Sequence, residues 1–351
     1  MDEKQNRYLK IIIGFMTVTT VVLLCYGMKH TLSCFLLSFI IAYLLDPIVI
    51  FLNKRISRRK AIITLYFLLA ILSAFALFYL IPLLTMHFNA FVKDIPTYIQ
   101  ELKGIIQTIK SKLMAAPGSE EWEWLLNYTS NNIDTFINVV WNFLYRATSR
   151  FAINILSLII APILVFFMLL YKEEIKNGIK YWLPSDKRDG ILEFGNDVNK
   201  SVGNYIRGQF IVSLIVASVS TIVLVILGVN HPLLNGIFAG LASIIPFIGF
   251  VLAVIPPLFF AYVQFQSGAI LLQVTIAFII IYFAEGYLIK PFVFKEAMNL
   301  NPLTTIIVVM GFGELMGFWG ILLALPIAAT IKILSQRLKT GGFSKANPET
   351  E

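Results

Sequence analysis

The stretch Gly208–Ala284, GQFIVSLIVASVSTIVLVILGVNHPLLNGIFAGLASIIPFIGFVLAVIPPLFFAYVQFQSGAILLQVTIAFIIIYFA, decides the fold. It contains no Asp, Glu, Lys or Arg. A helix that crosses the hydrocarbon core of a bilayer needs only about 20 apolar residues, so this one stretch has room for three crossings. In hydrocarbon every backbone amide must find an internal partner, which leaves helices or closed barrels. The apolar residues here run continuously instead of alternating, so helices fit and barrel strands do not. The rest of the chain agrees. Of 351 residues 58% are hydrophobic and 14% charged, with a mean hydropathy of +0.80, against roughly 25% charged residues in soluble domains. The expected fold is all-α: a polytopic integral membrane protein of about eight transmembrane helices, with amphipathic helices between spans three and four and between spans four and five.

Upstream, Lys4, Arg7 and Lys10 precede the uncharged run Ile11 to Met28, an uncleaved first span by its length and its lack of a small-residue cleavage site. A second span follows from Thr31 to Leu52, interrupted by Asp46 and Pro47. Lys54, Arg55, Arg58, Arg59 and Lys60 then crowd one short loop. This loop is the strongest orientation signal in the sequence and places itself and the N-terminus in the cytoplasm. A third span covers Ala61 to Leu83. Leu84 to Arg150 is too polar to span, and its Ile95, Ile99, Leu102, Ile106, Ile109 and Leu113 recur at steps of four and three, one apolar helical stripe. Ala116, Pro117 and Gly118 break that helix. Ser119 can cap another, with Glu120 and Glu121 in its first turn. Leu126, Ile133, Ile137 and Leu144 supply its apolar face. Two amphipathic helices on the membrane surface or over the spans are expected here.

A fourth span, Phe151 to Tyr171, returns the chain inside. Leu183 to Asp186 reads as a turn, opening a cytoplasmic helix with Ile191, Phe194, Val198, Val202 and Tyr205 at helical spacing. Span five runs from Gln209 to Val229. The next run, to Phe265, is too long for one straight crossing and carries Pro246, Gly249, Pro256 and Pro257: one bent span or a broken pair. Another span covers Ala269 to Ile289. Leu303 to Ile331 contains Gly311, Gly313, Gly317 and Gly320, so it too admits an interruption. The organisation read from this pattern is an N-terminal three-span unit (1–83), an extracytoplasmic segment (84–150), span four (151–171), a cytoplasmic segment (172–207), a C-terminal membrane unit with broken helices (208–335) and a cytoplasmic tail (336–351). The formal charge of +8 could suggest nucleic acid, but the basic residues cluster beside apolar segments, where membrane orientation explains them.

Charged groups inside spans are costly, about 2.5 to 3.5 kcal/mol at mid-helix on insertion scales, so each should face a cavity or a partner or be protonated. Glu314, between Gly313 and Leu315, and Glu285, near the end of an otherwise uncharged span, are the candidate proton or cation sites. For Glu285 the bland alternative is an interfacial carboxylate relieved by water or Lys290. Asp46 fits a helix-terminal turn partnered by Arg. Arg207 either guards an access path or binds a lipid phosphate, or is an ordinary positive-inside anchor. Pro246 and Gly249 would expose carbonyls and amides of a broken helix for substrate binding near the midplane, or make a packing kink. Gly236 with Gly240, Gly313 with Gly317, and Gly320 are read as helix-packing or hinge positions. Cys25 and Cys34 are packing residues, without CxxC spacing or a His ligand set. No HExxH, GxSxG or Walker A loop is present, so no enzyme, metal or cofactor is expected.

The order of several segments carries a resemblance. Tyr205, Ile206, Arg207, Gly208 and Gln209 open a span; Gly236 to Gly240 lead to Ile245, Pro246 and Gly249; Glu285, Gly286, Lys290 and Pro291 follow, then Asn301 and Pro302, then Gly317, Gly320 and the Leu325, Pro326 pair. In this order the chain resembles the AI-2E transporter family, the PerM-type permeases, over essentially its whole length, and is similar to the branch described as sporulation integral membrane proteins. Asn301 departs from the His that many members carry before the Pro. The resemblance implies about eight spans and a permease or exporter of a small polar solute, autoinducer-2 in some members, or of sodium or lithium in exchange for protons in others. It also implies residence in the bacterial cytoplasmic membrane. The expected partners are the lipid bilayer, a small solute or ion, and, from the small-residue faces, a further copy of the chain in a homo-oligomer; no nucleic acid is expected. The reading from a different class is a membrane scaffold or assembly factor in sporulation that recruits partners through Leu84 to Arg150 and moves no solute.

Overall fold

A computed structural model describes residues 29–114, 155–185, 187–246, 248–294 and 301–339. The expected first span, Ile11 to Met28, the second amphipathic helix after Ser119, Cys25 and the tail from residue 340 lie outside the described residues. Among the described residues the secondary structure is helical throughout: α1 Lys29–Asn53, α2 Arg58–Phe75, α3 Ile81–Met114, α4 Ile155–Leu170, α5 Lys172–Trp182, α6 Arg188–Ile226, α7 Pro232–Ala242, α8 Ile248–Phe265, α9 Gly268–Ala284, α10 Lys290–Phe294, α11 Pro302–Met316 and α12 Phe318–Lys339. Two five-residue π-helical stretches, Ala76–Leu80 and Glu285–Ile289, join α2 to α3 and α9 to α10. Among the described residues six helices are long and apolar enough to cross a membrane, and Ile160–Leu170, Pro232–Ala242 and Pro302–Met316 are shorter apolar helices. Phe67, Phe78, Leu214 and Ile226 are exposed side chains on the long helices. In water such a surface is an aggregation liability; against acyl chains it is the natural contact area.

The chain is a polytopic all-α membrane protein, and two of its long apolar runs are each divided in two. The run to Phe265 is divided: α7 ends at Ala242 and α8 begins at Ile248. The final run breaks at Gly317, whose φ of +60° ends α11 and starts α12. That left-handed conformation costs a residue with a Cβ and costs glycine little. Other expected boundaries vanish. The helix bearing the stripe from Ile95 to Leu113 is no separate element: from Arg58 through Met114 the backbone stays helical, with Pro96 accommodated inside α3. No glycine or turn sequence lies between Leu84 and Asp94 to stop it. The amphipathic helix expected before span five likewise runs straight into it: α6 is continuous from Arg188 to Ile226.

The described residues divide into two compact units: 29–62 with 155–181, and 63–114 with 182–339. In the first, α1 packs on α4, and Ser38, fully buried, donates its hydroxyl to the carbonyls of Cys34 at 2.7 Å and Ala161 at 3.3 Å. Its charged cluster sits around Asp46, 13% exposed. Lys172 Nζ lies 2.6 Å from Oδ2, and Arg58, which also donates to the Leu169 carbonyl, is 3.9 Å from Oδ1. The sequence pointed to an Arg partner; the closer cation is Lys172. Asp46→Asn leaves both cations facing a neutral amide. We expect a loss of about 2 kcal/mol, between the cost for an exposed pair and that for a fully buried one, read as a lower thermal midpoint in detergent.

In the second unit Val212, Val216, Leu224, Ala239, Phe260, Val274 and Phe278 form the core. The α6–α7 hairpin frames it. A Cβ on Gly240 would stand 2.5 Å from the Ser213 carbonyl oxygen and 2.7 Å from Ala217 Cβ, and one on Gly236 would overlap the Thr221 side chain. Glycine at both places lets the two backbones close. Gly320 does the same where α12 passes the Phe312 carbonyl. Gly313 meets the Ile321 side chain.

Candidate functional site: a buried carboxylate beside a broken helix

The site is built from α6 upward. Gln209, Ser213 and Ser220 are spaced by four and seven residues, which puts them on one stripe of that helix. Gln209 Nε2 donates to the Ser243 carbonyl at 3.2 Å, and the Ser213 and Ser243 hydroxyls are 3.3 Å apart. These side chains hold the place where α7 ends. Ser243 Oγ donates back to the Gly240 carbonyl at 2.8 Å, and Gly249 N–H reaches the Ile245 carbonyl at 2.9 Å. Pro246 sits inside the break. Gly249 has no room for a Cβ, which would fall on the Ala242 carbonyl, so glycine lets the first turn of α8 lie against the last turn of α7. The break is a packed joint with side-chain donors, not a frayed loop.

Glu285 opens the π-helical turn after α9 and is 8% exposed. π-turns are rare and recur at functional sites. Lys290 Nζ lies 2.8 Å from its Oε1. Glu285 also lines a small cavity of about 10 Å³ together with Ser220, Ser243, Gly249, Phe250 and Tyr282. That volume is on the scale of a single water or an unhydrated ion. Ser220 is 0% exposed, and its Oγ is a buried polar atom without a hydrogen-bond partner. A buried hydroxyl left unsatisfied costs about 1–3 kcal/mol, so a polar atom aimed at a cavity is a place where a small polar species is stabilised.

Of the residues singled out in sequence, the structure therefore brings Glu285 and Gly249 to one cavity, with Pro246 in the adjoining break. It does not bring Glu314 there: that carboxylate is on the exposed side of α11. Arg207 is on α6, where its Nη2 donates to Asn204 Oδ1 at 2.9 Å. Asn301 caps α11, its Oδ1 accepting from Leu303 N–H at 3.0 Å, with Pro302 in the first turn. Ser220 and Ser243 escaped the sequence reading, and Gln209 entered it only as the opening of a span. Their signal was faint: polar residues at helix spacing in a charge-free span.

The order of these elements is that of a known family. A family model described as "AI-2E family transporter" matches residues 11–340. The chain belongs to the AI-2E transporter family. It is 28% identical to the "Putative transport protein YrrI" of Bacillus subtilis, over 85% of this chain and 84% of that one. It is 28% identical to the "Putative permease PerM" of Escherichia coli, over 86% and 85%. A transport protein of Thermotoga maritima, also named putative, is 26% identical over 83% of each chain. Membership in this AI-2E family supports a transport role for the chain.

A second polar cluster ties the α6–α7 turn to α3 and α8. His231, 8% exposed at its side chain, has φ +54° and precedes Pro232. Its Nε2 is 3.3 Å from Asp94 Oδ2 and 3.2 Å from the Tyr98 hydroxyl, and the ring sits edge-on to Phe91 and Phe260. Gln264 clamps the turn, donating to the Gly228 carbonyl and accepting from Asn230 N–H, each at 2.9 Å. Burial holds the His231 pKa below the ordinary histidine value, with His87 pushing the same way and Asp94 opposing. The folded state thus takes up the proton later than the unfolded chain. The stability from neutral His231 is present above about pH 6.5 and is lost as pH falls below it. We expect the thermal midpoint to drop between pH 7.5 and 5.5, with a shallower dependence in His231→Gln.

Proposed function

We propose that this chain is a secondary permease that exports a small polar solute, autoinducer-2-like in chemistry, or a cation in exchange for protons, with Glu285 as the coupling group. The observation that carries the reading is the buried Glu285 carboxylate shared between Lys290 and the cavity that Ser220 and the α7–α8 break also line. A carboxylate so placed can exchange one partner for another. Ionised, it is neutralised by Lys290; protonated or bound to a cation, it releases Lys290, and the local charge balance changes with the occupant. Carbonyls and amides at a helix break are the usual means of holding a dehydrated solute in hydrocarbon, because they supply dipoles without a net charge to bury. Glu314 enters the same reading as a surface carboxylate on the α11–α12 hairpin whose neutralisation distinguishes the two acids. In this reading both termini are cytoplasmic, in the bacterial cell membrane.

The test is flux in proteoliposomes, with sodium and with candidate signalling solutes, under an imposed pH gradient and without one. Gradient-dependent flux of one solute class is expected. Flux indifferent to the gradient would make the chain a passive channel, and no flux from correctly inserted protein would favour a scaffold.

A further inference from the structure

With the amphipathic stretch before span five absorbed into α6, the separate helix that remains between spans four and five is α5, Lys172–Trp182. Its Ile175, Ile179 and Trp182 are spaced by four and three residues, which puts them on one stripe of the helix. Ile175 and Ile179 are 55% exposed and Trp182 86%, and no residue of α5 is buried. A Cβ on Gly178, beside the stripe, would meet nothing within 4 Å. A helix of 11 residues falls short of the length, about 12–15, at which helices hold by themselves in water, and such helices persist because an apolar face is packed. Among the described residues that face of α5 is open.

What covers it follows from where the helix begins and from its charges. Only Tyr171 separates α5 from α4, which carries no charged residue from Ile155 to Leu170. The first turn of α5 is fixed by ion pairs: Lys172 Nζ lies 2.6 Å from Asp46 Oδ2, and Glu173 Oε1 lies 3.8 Å from Arg58 Nη1. Arg58 belongs to the basic loop that also carries Lys54, Arg55, Arg59 and Lys60. Charges gathered at the end of an uncharged apolar helix mark the level of the lipid headgroups, so α5 starts at the bilayer surface. With Lys172 and Glu173 paired, the other charged residues of α5 are Lys176, Lys180 and Glu174, all exposed. At about 3.6 residues per turn, Lys176 and Lys180 border the apolar stripe on one side, while Glu174, Asn177 and Tyr181 fall on the opposite face. Lysine stems lie along apolar surface while their ammonium groups reach outward to phosphate. An apolar stripe edged by ammonium groups, with the acid on the far side, fits an anionic lipid surface.

We propose that α5 lies in the bilayer surface, with Ile175, Ile179 and Trp182 among the outermost acyl carbons and Lys176 and Lys180 on the phosphates of anionic lipids. Tryptophan suits the end of such a helix, because its amphipathic ring settles at the headgroup level. The ion pairs to Asp46 and Arg58 hold the helix by its first turn, and the lipid holds the rest. The inference does not depend on the role of Glu285: it uses other residues and needs no transport cycle.

The test uses the full chain, with Cys25→Ala and Cys34→Ala, in nanodiscs of phosphatidylcholine with or without phosphatidylglycerol. A nitroxide is attached through Ile179→Cys on the stripe or Asn177→Cys on the opposite face, and Ile175→Cys repeats the stripe measurement at a second place. Collisions of each label with oxygen, which concentrates in lipid, are compared with collisions with a water-soluble nickel chelate. In discs containing phosphatidylglycerol the two stripe labels are expected to favour oxygen and the Asn177 label the chelate. Lys176→Gln/Lys180→Gln should lower the ratio of lipid-seated to water-seated label at Ile179 about fivefold per charge removed, as should omission of the anionic lipid, whereas Glu174→Gln should not lower it. Equal chelate access at all three positions would place α5 in water. Stripe labels shielded from both colliders would give the face to a protein partner or a second copy of the chain. A ratio indifferent to phosphatidylglycerol and to the lysines would remove the anionic headgroups. Each of these three results overturns the proposal.

Discussion

Glu285→Gln is expected to lower gradient-driven flux by about 100-fold, the scale of removing a positioned proton-transfer group, while the protein still accumulates in the membrane. The amide keeps the size of the carboxyl and can still hydrogen-bond, so the π-turn and the cavity lined by Ser220 and Ser243 persist. What disappears is the group that exchanges Lys290 for a proton or a cation. Lys290→Gln should behave differently. It leaves Glu285, 8% exposed, without the ammonium 2.8 Å away, so it should lower stability more than Glu285→Gln does, and adding Glu285→Gln to it should restore part of that loss. Glu314→Gln is the discriminating arm. From its exposed place on α11 it should leave flux within a few-fold of wild type. Full activity in Glu285→Gln together with loss in Glu314→Gln would move the coupling site to the α11–α12 hairpin.

Gly240→Leu is expected to destabilise the second unit strongly. A Cβ there would meet the Ser213 carbonyl oxygen at 2.5 Å and Ala217 Cβ at 2.7 Å, and neither can rotate away. α7 would have to leave α6, stretching the Gln209 to Ser243 bond that anchors the helix break. Overpacking of this kind costs about 1–3 kcal/mol and more where backbone is struck. The expected readout is a fall in thermal midpoint, with loss of flux in whatever protein remains folded. Gly311→Ala is the matched control. Nothing lies within 4 Å of a Cβ at that position, so the substitution should be neutral or slightly stabilising. Equal damage from both would mean that the close approach of α6 and α7 is not what these glycines provide.

The membrane class and the helical state of every described span were legible in sequence, because hydrophobic length is a local property; Gly and Pro punctuation marked two runs as bent or broken without deciding which. The cost of Glu285 was legible too: an acid at the end of an uncharged span has to be accounted for energetically wherever it sits, as a coupling group or as an interfacial carboxylate relieved by Lys290. Helix boundaries were less legible. Span and stripe fuse from Arg58 to Met114 because no residue between them forbids helix, and a change from apolar to amphipathic composition does not by itself end one. Asp46 shows the same limit in the first unit. Its charge demanded a cation, but that Lys172 stands nearer than Arg58 depends on where α4 ends beside α1, a separation of 126 residues.

By itself, then, the sequence determined the solvent of this protein, its secondary structure and which residues are costly to bury, since each follows from side-chain chemistry and short-range periodicity. Only the tertiary structure decided which of those residues share a site. It put Glu285 with Ser220 and the α7–α8 break and left Glu314 on a surface. The reason is physical: burial and charge are properties of single residues, whereas a cavity and its electrostatics arise from the close approach of helices, which Gly236, Gly240 and Gly249 permit and no linear spacing encodes.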